Sequence, residues 1–270
     1  MDLKLKFLIC TTLINVNFLK CQVIDKCVLK CTYEFALQKD STNKSLINTE
    51  LMALDIGEKS SLFYSEKRKG GDSLKVEDEK HGLLSASNQN NGKYNQNNWS
   101  IIISKNYPTN QVSVSENLLF PYLYKECLVT QKWVLLKDTA SINGLQCKKA
   151  ITTFRGRQFE AWYTKSIPTN HGPWKFYGLP GLIVKVNDLK NQFVFTLVNV
   201  INTAGLDIKI IFPENKYIPI KRLQLQKLKQ EMADDPITFI ENNTPYHIKF
   251  PQTPTERKAK RGFYNPIELF

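Results

Sequence analysis

The side chains best suited to chemistry lie close together in the sequence, between residues 154 and 183. Arg157 carries a guanidinium group, whose planar fork can bind a carboxylate or phosphate through two parallel hydrogen bonds. Aromatic side chains and a histidine follow it, and with Arg157 they form the predicted ligand-binding set: Trp162, Tyr163, His171, Trp174, Phe176 and Tyr177. Aromatic walls around a few polar groups are typical of ligand pockets. We therefore predict a recess that accepts a lipid or peptide ligand.

A structural role for Arg157 is the competing interpretation. Arg155 and Arg157 are separated by one glycine, so on a strand both would point to one face, followed there by Phe159. If that face is buried, Arg157 needs a carboxylate or carbonyl partner inside the protein. The sequence leaves both a salt bridge and a ligand site open.

The residues Gly178, Leu179, Pro180 and Gly181 form a turn motif directly before an apolar strand. Pro180 and Gly181 suit the two central positions of a type II turn, because proline presets φ near about −65° and glycine supplies a positive φ. Leu179 can then reach inward. A rigid loop that fixes the start of the strand is the favoured interpretation, and a wall of the ligand recess is the alternative.

Sequence signatures of common enzymes are absent from all 270 residues. There is no Gly-x-Ser-x-Gly, His-Glu-x-x-His, phosphate-binding loop or Cys-x-x-Cys motif. Only three histidines, His81, His171 and His247, are present for a metal site or a catalytic triad. We therefore predict no cofactor and no metal site, and we favour a binding protein over an enzyme. A carboxylate-dependent hydrolase with His171 as acid or base stays open as an alternative.

Composition and charge narrow the class of protein further. With 42% hydrophobic residues the chain can bury a core, which excludes a mostly disordered protein. No uninterrupted apolar run reaches the roughly 18 residues of a membrane-spanning helix, so we predict that the chain does not span a membrane. The net charge of +12 comes from lysines interleaved with acids, as in residues 66–79, and we predict no nucleic-acid partner.

The first 21 residues have the pattern of an export signal. Lys4 and Lys6 precede an apolar stretch, residues 7–19, that is too short to cross a bilayer. We expect cleavage after Cys21, which leaves residues 22–270 as a single domain in the periplasm, at the cell surface or outside the cell. Lipid attachment at Cys21 is the alternative.

Four cysteines remain after this cleavage, and an even number in an oxidising compartment predicts disulfides. The candidates are Cys27, Cys31, Cys127 and Cys147. Residues 27–37 alternate as a strand does, which separates Cys27 and Cys31 by about 13 Å, beyond the roughly 7 Å that a disulfide permits. Each of these two must therefore pair with Cys127 or Cys147, or stay free.

Strand patterns dominate the rest of the chain. Short connections between neighbouring strands, such as residues 188–191, indicate an antiparallel sheet. One late helix is predicted, with Pro219 in its first position, an apolar stripe along it and a stop at Asp235. The expected fold class is α+β, mainly antiparallel β, with a curved sheet and a C-terminal amphipathic helix. The amide-rich residues 88–98 are predicted to form a surface loop.

Several spaced motifs together resemble one known family. They are residues 54–57, 61–64, 154–157, 161–164, 172–176, 178–183 and 265–269, of which residues 178–183 are the complete hexapeptide Gly-Leu-Pro-Gly-Leu-Ile. In this order they are similar to the GLPGLI family of exported Bacteroidota proteins, named after that hexapeptide. The resemblance covers essentially the whole of residues 22–270. It implies compartment and lineage, because the family has no established biochemical activity.

These patterns together predict an exported binding or accessory protein of the cell envelope, with a hydrophobic or peptide ligand in a cleft of the β-sheet. An envelope or outer-membrane transport protein is the expected partner. Two alternatives from other classes stay open. One is the carboxylate-dependent hydrolase, and the other is a module that adds a partner's strand at an open sheet edge.

Overall fold

The computed structural model describes residues 23–80, 99–245 and 264–269. The predicted export signal and the amide-rich residues 88–98 lie outside these ranges and stay predictions. The strands are β1 (Val23–Gln38), β2 (Ile47–Gly57), β3 (Ser61–Ser65), β4 (Ile101–Lys105), β5 (Gln111–Asn117), β6 (Pro121–Cys127), β7 (Val134–Ile142), β8 (Leu145–Phe154), β9 (Arg157–Thr164), β10 (Leu182–Asp188), β11 (Phe193–Asn202), β12 (Lys209–Ile211) and β13 (Ile218–Pro219). The helices in these ranges are α1 (Glu66–Lys80), α2 (Arg222–Asp234) and α3 (Pro236–Asn243), with a 3-10 turn at Glu214–Lys216.

All 13 strands belong to one open sheet. Its order is β13, β6, β5, β4, β3, β2, β1, β11, β10, β9, β8 and β7, and β12 pairs separately with β1. Strands that follow one another in the chain are mostly neighbours in the sheet and pair antiparallel, whereas β13 and β6 are parallel. The predicted mainly antiparallel β class is therefore confirmed.

One face of the sheet, here called the inner face, carries the main hydrophobic core. Side chains of strands that lie far apart in the order belong to the same cluster there, for example Val114 of β5 and Phe159 of β9. The hydroxyl of Tyr33 in β1 donates a hydrogen bond of 2.7 Å to the carbonyl of Ile183 in β10. Lys105 of β4 donates to two carbonyls in the loop between β9 and β10. A flat sheet could not make these contacts, so the sheet bends around that loop.

The opposite face, here called the outer face, carries a smaller apolar cluster. Ala53, Leu62, Tyr64 and Leu123 alternate with the inner-face residues along β2, β3 and β6. Residues 209–217 cross this face and cover part of it with Ile210 and Phe212. The two faces therefore have separate cores, and the outer one is only partly covered.

The disulfide prediction is wrong: Cys27, Cys31, Cys127 and Cys147 are all free. Cys31 lies on β1, which three strands separate from Cys147 on β8 and four strands separate from Cys127 on β6. A register shift after Cys27 moves this residue into the outer-face cluster, whereas Cys31 belongs to the inner core. The uninterrupted alternation expected for residues 27–37 therefore begins only after the shift.

The late helix differs in its start from the prediction. Pro219 pairs with Leu123 of β6 and lies outside the helix. The helix α2 begins at Arg222 and ends at Asp234, directly before the predicted stop at Asp235. Leu225 is its buried residue. Two of its basic residues, Arg222 and Lys229, turn toward acidic partners, so they do not belong to a solvated face.

Candidate ligand-binding site

The aromatic residues of the predicted set are mostly core residues. Trp174 and Phe176 are 1% and 0% exposed, and their ring centroids lie 5.2 Å apart. Tyr163 is also buried, whereas Trp162 and Tyr177 are half-buried. The cavity beside Trp174 has a volume of about 40 Å³, which is room for about one water molecule. The inner face is therefore filled by side chains where the sequence predicted a recess.

Arg157 holds the C-terminal segment against the sheet. Its guanidinium donates to the carbonyl of Pro266 through Nε (3.1 Å) and Nη2 (2.7 Å). Nη2 also donates to the side chain of Asn265, and Nη1 donates to Asp188 (3.3 Å) and Gln192 (3.1 Å). These bonds use all five N–H donors of an arginine. The geometry favours the structural interpretation and leaves no donor for a ligand.

Arg155 does not share a strand with Arg157. Its φ of 49° and the 80° of Gly156 form the tight turn between β8 and β9, so the two guanidinium groups diverge. Arg155 joins a partly buried ion cluster in which Glu126 and Glu268 accept from three cations: Arg155, Lys175 and Arg222. The contacts between Lys175 and Glu126 (2.6 Å) and between Arg155 and Glu126 (2.8 Å) are short. No sequence pattern predicts this cluster, because its members are far apart in the chain.

The paired carboxylates of a hydrolase have no counterpart in this cluster. Glu126 and Glu268 are both neutralised by cations, and the adjoining cavity is too small for a substrate. In the part of the chain that the structure describes, no group of three or more histidine, cysteine or acidic side chains could hold a metal ion. These contacts give the hydrolase alternative no support.

His171 and Lys105 are two basic side chains that are buried on the inner face. Lys105 is fully buried, and burial lowers its pKa to about 7. Burial, together with the nearby Lys105 charge, lowers the pKa of His171 to about 3. His171 is therefore neutral at physiological pH, and its Nδ1 has no hydrogen-bond partner among the described residues. Neither side chain lines the cavity beside Trp174.

The turn motif fixes the entry of β10, but it is not a type II turn. The amide of Gly181 donates to the carbonyl of Leu179 (2.9 Å), which closes a three-residue turn around Pro180. Gly181 is required because a Cβ there would lie 2.0 Å from the carbonyl oxygen of Thr164. Gly178 has a φ of 97° and packs against Thr130. Leu179 is buried, as predicted.

Three surface clefts have volumes of about 450–540 Å³, which is large enough for a ligand. The one with the most apolar and aromatic lining lies on the outer face, and we call it the outer-face cleft. It is enclosed by strands β2 to β4, the start of α1 and residues 209–217, and has a volume of about 490 Å³. Small-molecule sites usually have volumes of about 300–1,000 Å³. Its walls are apolar or aromatic on several sides: Leu62, Tyr64, Ile102, Pro121, Ile211, Pro213 and Tyr217.

The charged groups of the outer-face cleft are mainly basic. Lys209 and Lys216 are exposed and form no ion pair with the described residues, while Arg68 and Lys69 come from α1. Arg68 donates to the backbone carbonyl of Ser100, and its Nη2 lies 3.5 Å from the hydroxyl of Tyr217. Asp55 is the carboxylate among the lining residues, and Lys69 lies 3.9 Å from it. The cleft therefore combines apolar walls with two lysines, Lys209 and Lys216, that have no acidic partner among the described residues.

Asp55 and Tyr64 form the polar part of the cleft floor. The Tyr64 hydroxyl donates to Oδ2 of Asp55 (2.8 Å), and Lys69 Nζ donates to the same hydroxyl (3.0 Å). Burial, reinforced by the Asp55 carboxylate, raises the pKa of Tyr64, so the phenol stays protonated and can donate. Both residues belong to motifs that the sequence singled out, residues 54–57 and 61–64.

Sequence reasoning missed the outer-face cleft for two reasons. The sequence pattern does not identify β2 as a strand. It therefore does not show that Asp55 and its chain neighbours lie on opposite faces of the sheet. The basic residues have the pattern of a solvated surface, because Lys69, Lys209 and Lys216 are far apart in the chain and form no basic cluster in the sequence. Only the two motifs pointed to this region.

Comparison with known proteins gives limited matches. A family described as "Protein of unknown function (Porph_ging)" matches residues 137–185, which extend from β7 into β10 and contain the turn motif. No curated protein matches the chain.

Among solved structures, two of PNGF-II, in the P21 and C2 space groups, are similar with a TM-score of 0.47 each. Their identities are 17% and 18%, and each alignment covers 76% of this chain and 33% of the PNGF-II chain. The chain thus spans about a third of the length of these structures. At this TM-score the likeness supports no conclusion about function.

None of the helices in the described ranges is both long enough and apolar enough to cross a membrane.

The sheet edge at β7 carries exposed Val134 and Leu135, but its pairing register shifts between Leu135 and Thr139. Irregularities and charges at an edge strand disfavour addition of another strand, so the geometry does not favour the strand-addition alternative.

Proposed function

We propose that this chain is an exported binding protein of the cell envelope that holds a single-chain anionic amphiphile in the outer-face cleft. The observation that carries the proposal is the combination of a cleft of about 490 Å³, apolar walls and two exposed lysines, Lys209 and Lys216, that form no ion pair with the described residues. An apolar chain would lie against Leu62 and Ile102, which lowers the free energy by removing apolar surface from water. Its anionic head would face Lys209 and Lys216.

The compartment is supported by the sequence. Residues 1–21 have the pattern of an export signal, and the spaced motifs resemble the exported GLPGLI family. The match of residues 137–185 is to a family of unknown function, so the activity rests on the cleft. A carrier of this kind works beside a protein that supplies or receives its ligand, and an envelope or outer-membrane transport protein is the proposed partner.

Isothermal titration with dodecanoate and dodecyltrimethylammonium tests the proposal, because the two probes share an apolar chain and differ in the sign of their charge. We expect dodecanoate to bind at least tenfold more tightly. The double variant Lys209→Gln and Lys216→Gln should weaken dodecanoate binding by about thirtyfold, since two contacts of about 1 kcal/mol each are lost. The matched control, Lys137→Gln with Lys190→Gln, changes two exposed lysines far from the cleft and should leave binding unchanged.

Absence of dodecanoate binding, or equal binding of both probes, would refute the proposal. Equal loss in the control pair would show that the net charge of the protein, not the cleft, attracts the anion. All measurements belong at one ionic strength, because exposed charges are screened by salt.

A further inference from the structure

The floor of the outer-face cleft contains a carboxylate oxygen without a partner. Asp55 is 4% exposed, and its Oδ1 is buried and accepts no hydrogen bond from the described residues. Its other oxygen, Oδ2, accepts from the Tyr64 hydroxyl at 2.8 Å, and Lys69 Nζ lies 3.9 Å from Oδ2. The two oxygens of one carboxylate therefore differ: Oδ2 is satisfied and Oδ1 is not.

A buried acceptor without a donor is costly, and the cost is greater for a charged group. The apolar neighbours of Asp55 in the cleft, Leu62 and Ile102, have no side-chain donor, and the Tyr64 hydroxyl is directed to Oδ2. The strand pairing places Asp55 directly opposite Leu62, so the backbone there is engaged in the sheet. Asp55 lines the outer-face cleft, so a molecule bound at the cleft floor is the source we infer for the donor that Oδ1 lacks.

We propose that Asp55 is a specificity-determining residue, and that the ligand of this cleft carries a hydroxyl or amino group on its chain that donates to Oδ1. This inference rests on the proposed function, because it adds a donor group to the amphiphilic acid already assigned to the cleft; a hydroxyl leaves that acid anionic, and an amino group makes it a zwitterion at neutral pH. It defines the ligand class as hydroxy or amino acids with a long apolar chain. The lysines select the acid group, and Asp55 selects the second polar group.

Three probes of equal chain length test this: dodecanoate, 3-hydroxydodecanoate and 3-aminododecanoate. Titration of the wild-type protein should show at least one donor-bearing acid binding about tenfold or more tightly than dodecanoate, the size expected for a hydrogen bond to a charged group. The near-isosteric variant Asp55→Asn should reduce that preference to below about threefold. Tyr64→Phe is the matched control, since it removes the bond to Oδ2 and leaves Oδ1, so the preference should persist.

The outcomes separate the two proposals. If wild-type protein binds the three acids equally, the role of Asp55 is overturned while the proposed function stands. If it binds none of them, the proposed function itself fails. A preference that survives Asp55→Asn unchanged overturns the role of Asp55 as well. If a variant fails to fold, the wild-type comparison of the three probes still decides whether a donor is recognised.

Discussion

Burial of Lys105 makes the stability of the protein depend on pH, and the direction of this dependence follows from the burial. The side chain is 0% exposed, and Nζ donates to the carbonyls of Gly172 and Phe176, the latter at 3.2 Å. Burial lowers its pKa from 10.5 to about 7. Between these two values the folded amine is neutral, whereas the unfolded chain still carries the proton. The unfolded state binds more protons there, so stability increases as pH rises, by up to about 1.4 kcal/mol per pH unit.

The variant Lys105→Met removes this titration and keeps most of the buried volume. We expect the free energy of unfolding of the wild type, measured in urea at pH 7.5 and pH 8.5, to gain about 1 kcal/mol relative to the variant. His171, with a pKa of about 3, does not titrate in this interval. The thiols of Cys27 and Cys31 have raised pKa values and act in the opposite direction at higher pH, equally in both proteins. Parallel pH profiles of the two proteins would refute the reasoning.

Three further predictions follow from the described contacts. Arg157→Lys loses most of the five hydrogen bonds of the guanidinium and should lower the free energy of unfolding in urea by about 3 kcal/mol; an unchanged value would contradict its structural role. Gly181→Ala should lower the melting temperature by several degrees, because the new Cβ would lie 2.0 Å from the carbonyl oxygen of Thr164. Gly144→Ala is the control for the effect of a positive φ alone, because a Cβ at that position meets no other atom within 4 Å. In a protein that begins at residue 22, a thiol reagent should modify Cys127 rapidly and the other three cysteines only after unfolding. Detection of fewer than four thiols in denaturant would show that a disulfide forms.

Local sequence patterns predicted much of the sheet because alternation is a local property. The strands β8 to β11 and the hairpin at residues 188–191 follow directly from it. The helix α1 could not be found this way, since it has a polar composition and no apolar stripe marks it. The alternation pattern also could not show that Cys27 lies on the outer face, because a register shift inserts one residue and reverses the alternation.

The candidate site was harder to predict because its residues come from separate parts of the chain. The Arg157 guanidinium binds residues more than 100 positions away, and a sequence pattern reveals only that it needs a partner. The aromatic residues near Trp174 had the composition of a pocket, but packing against neighbouring strands fills that space. The outer-face cleft joins Asp55 to Lys209 and Lys216, a proximity that only the topology of the sheet creates.

The most direct test of the central claim is to locate a bound anionic amphiphile. Crystals of the protein grown with 12-bromododecanoate would show the bromine by its anomalous signal. The account predicts a peak inside the outer-face cleft, among Leu62, Ile102 and Tyr217, with the carboxylate toward Lys209 or Lys216. A peak on the inner face beside Trp174, or a fully occupied site elsewhere with the outer-face cleft empty, would contradict it.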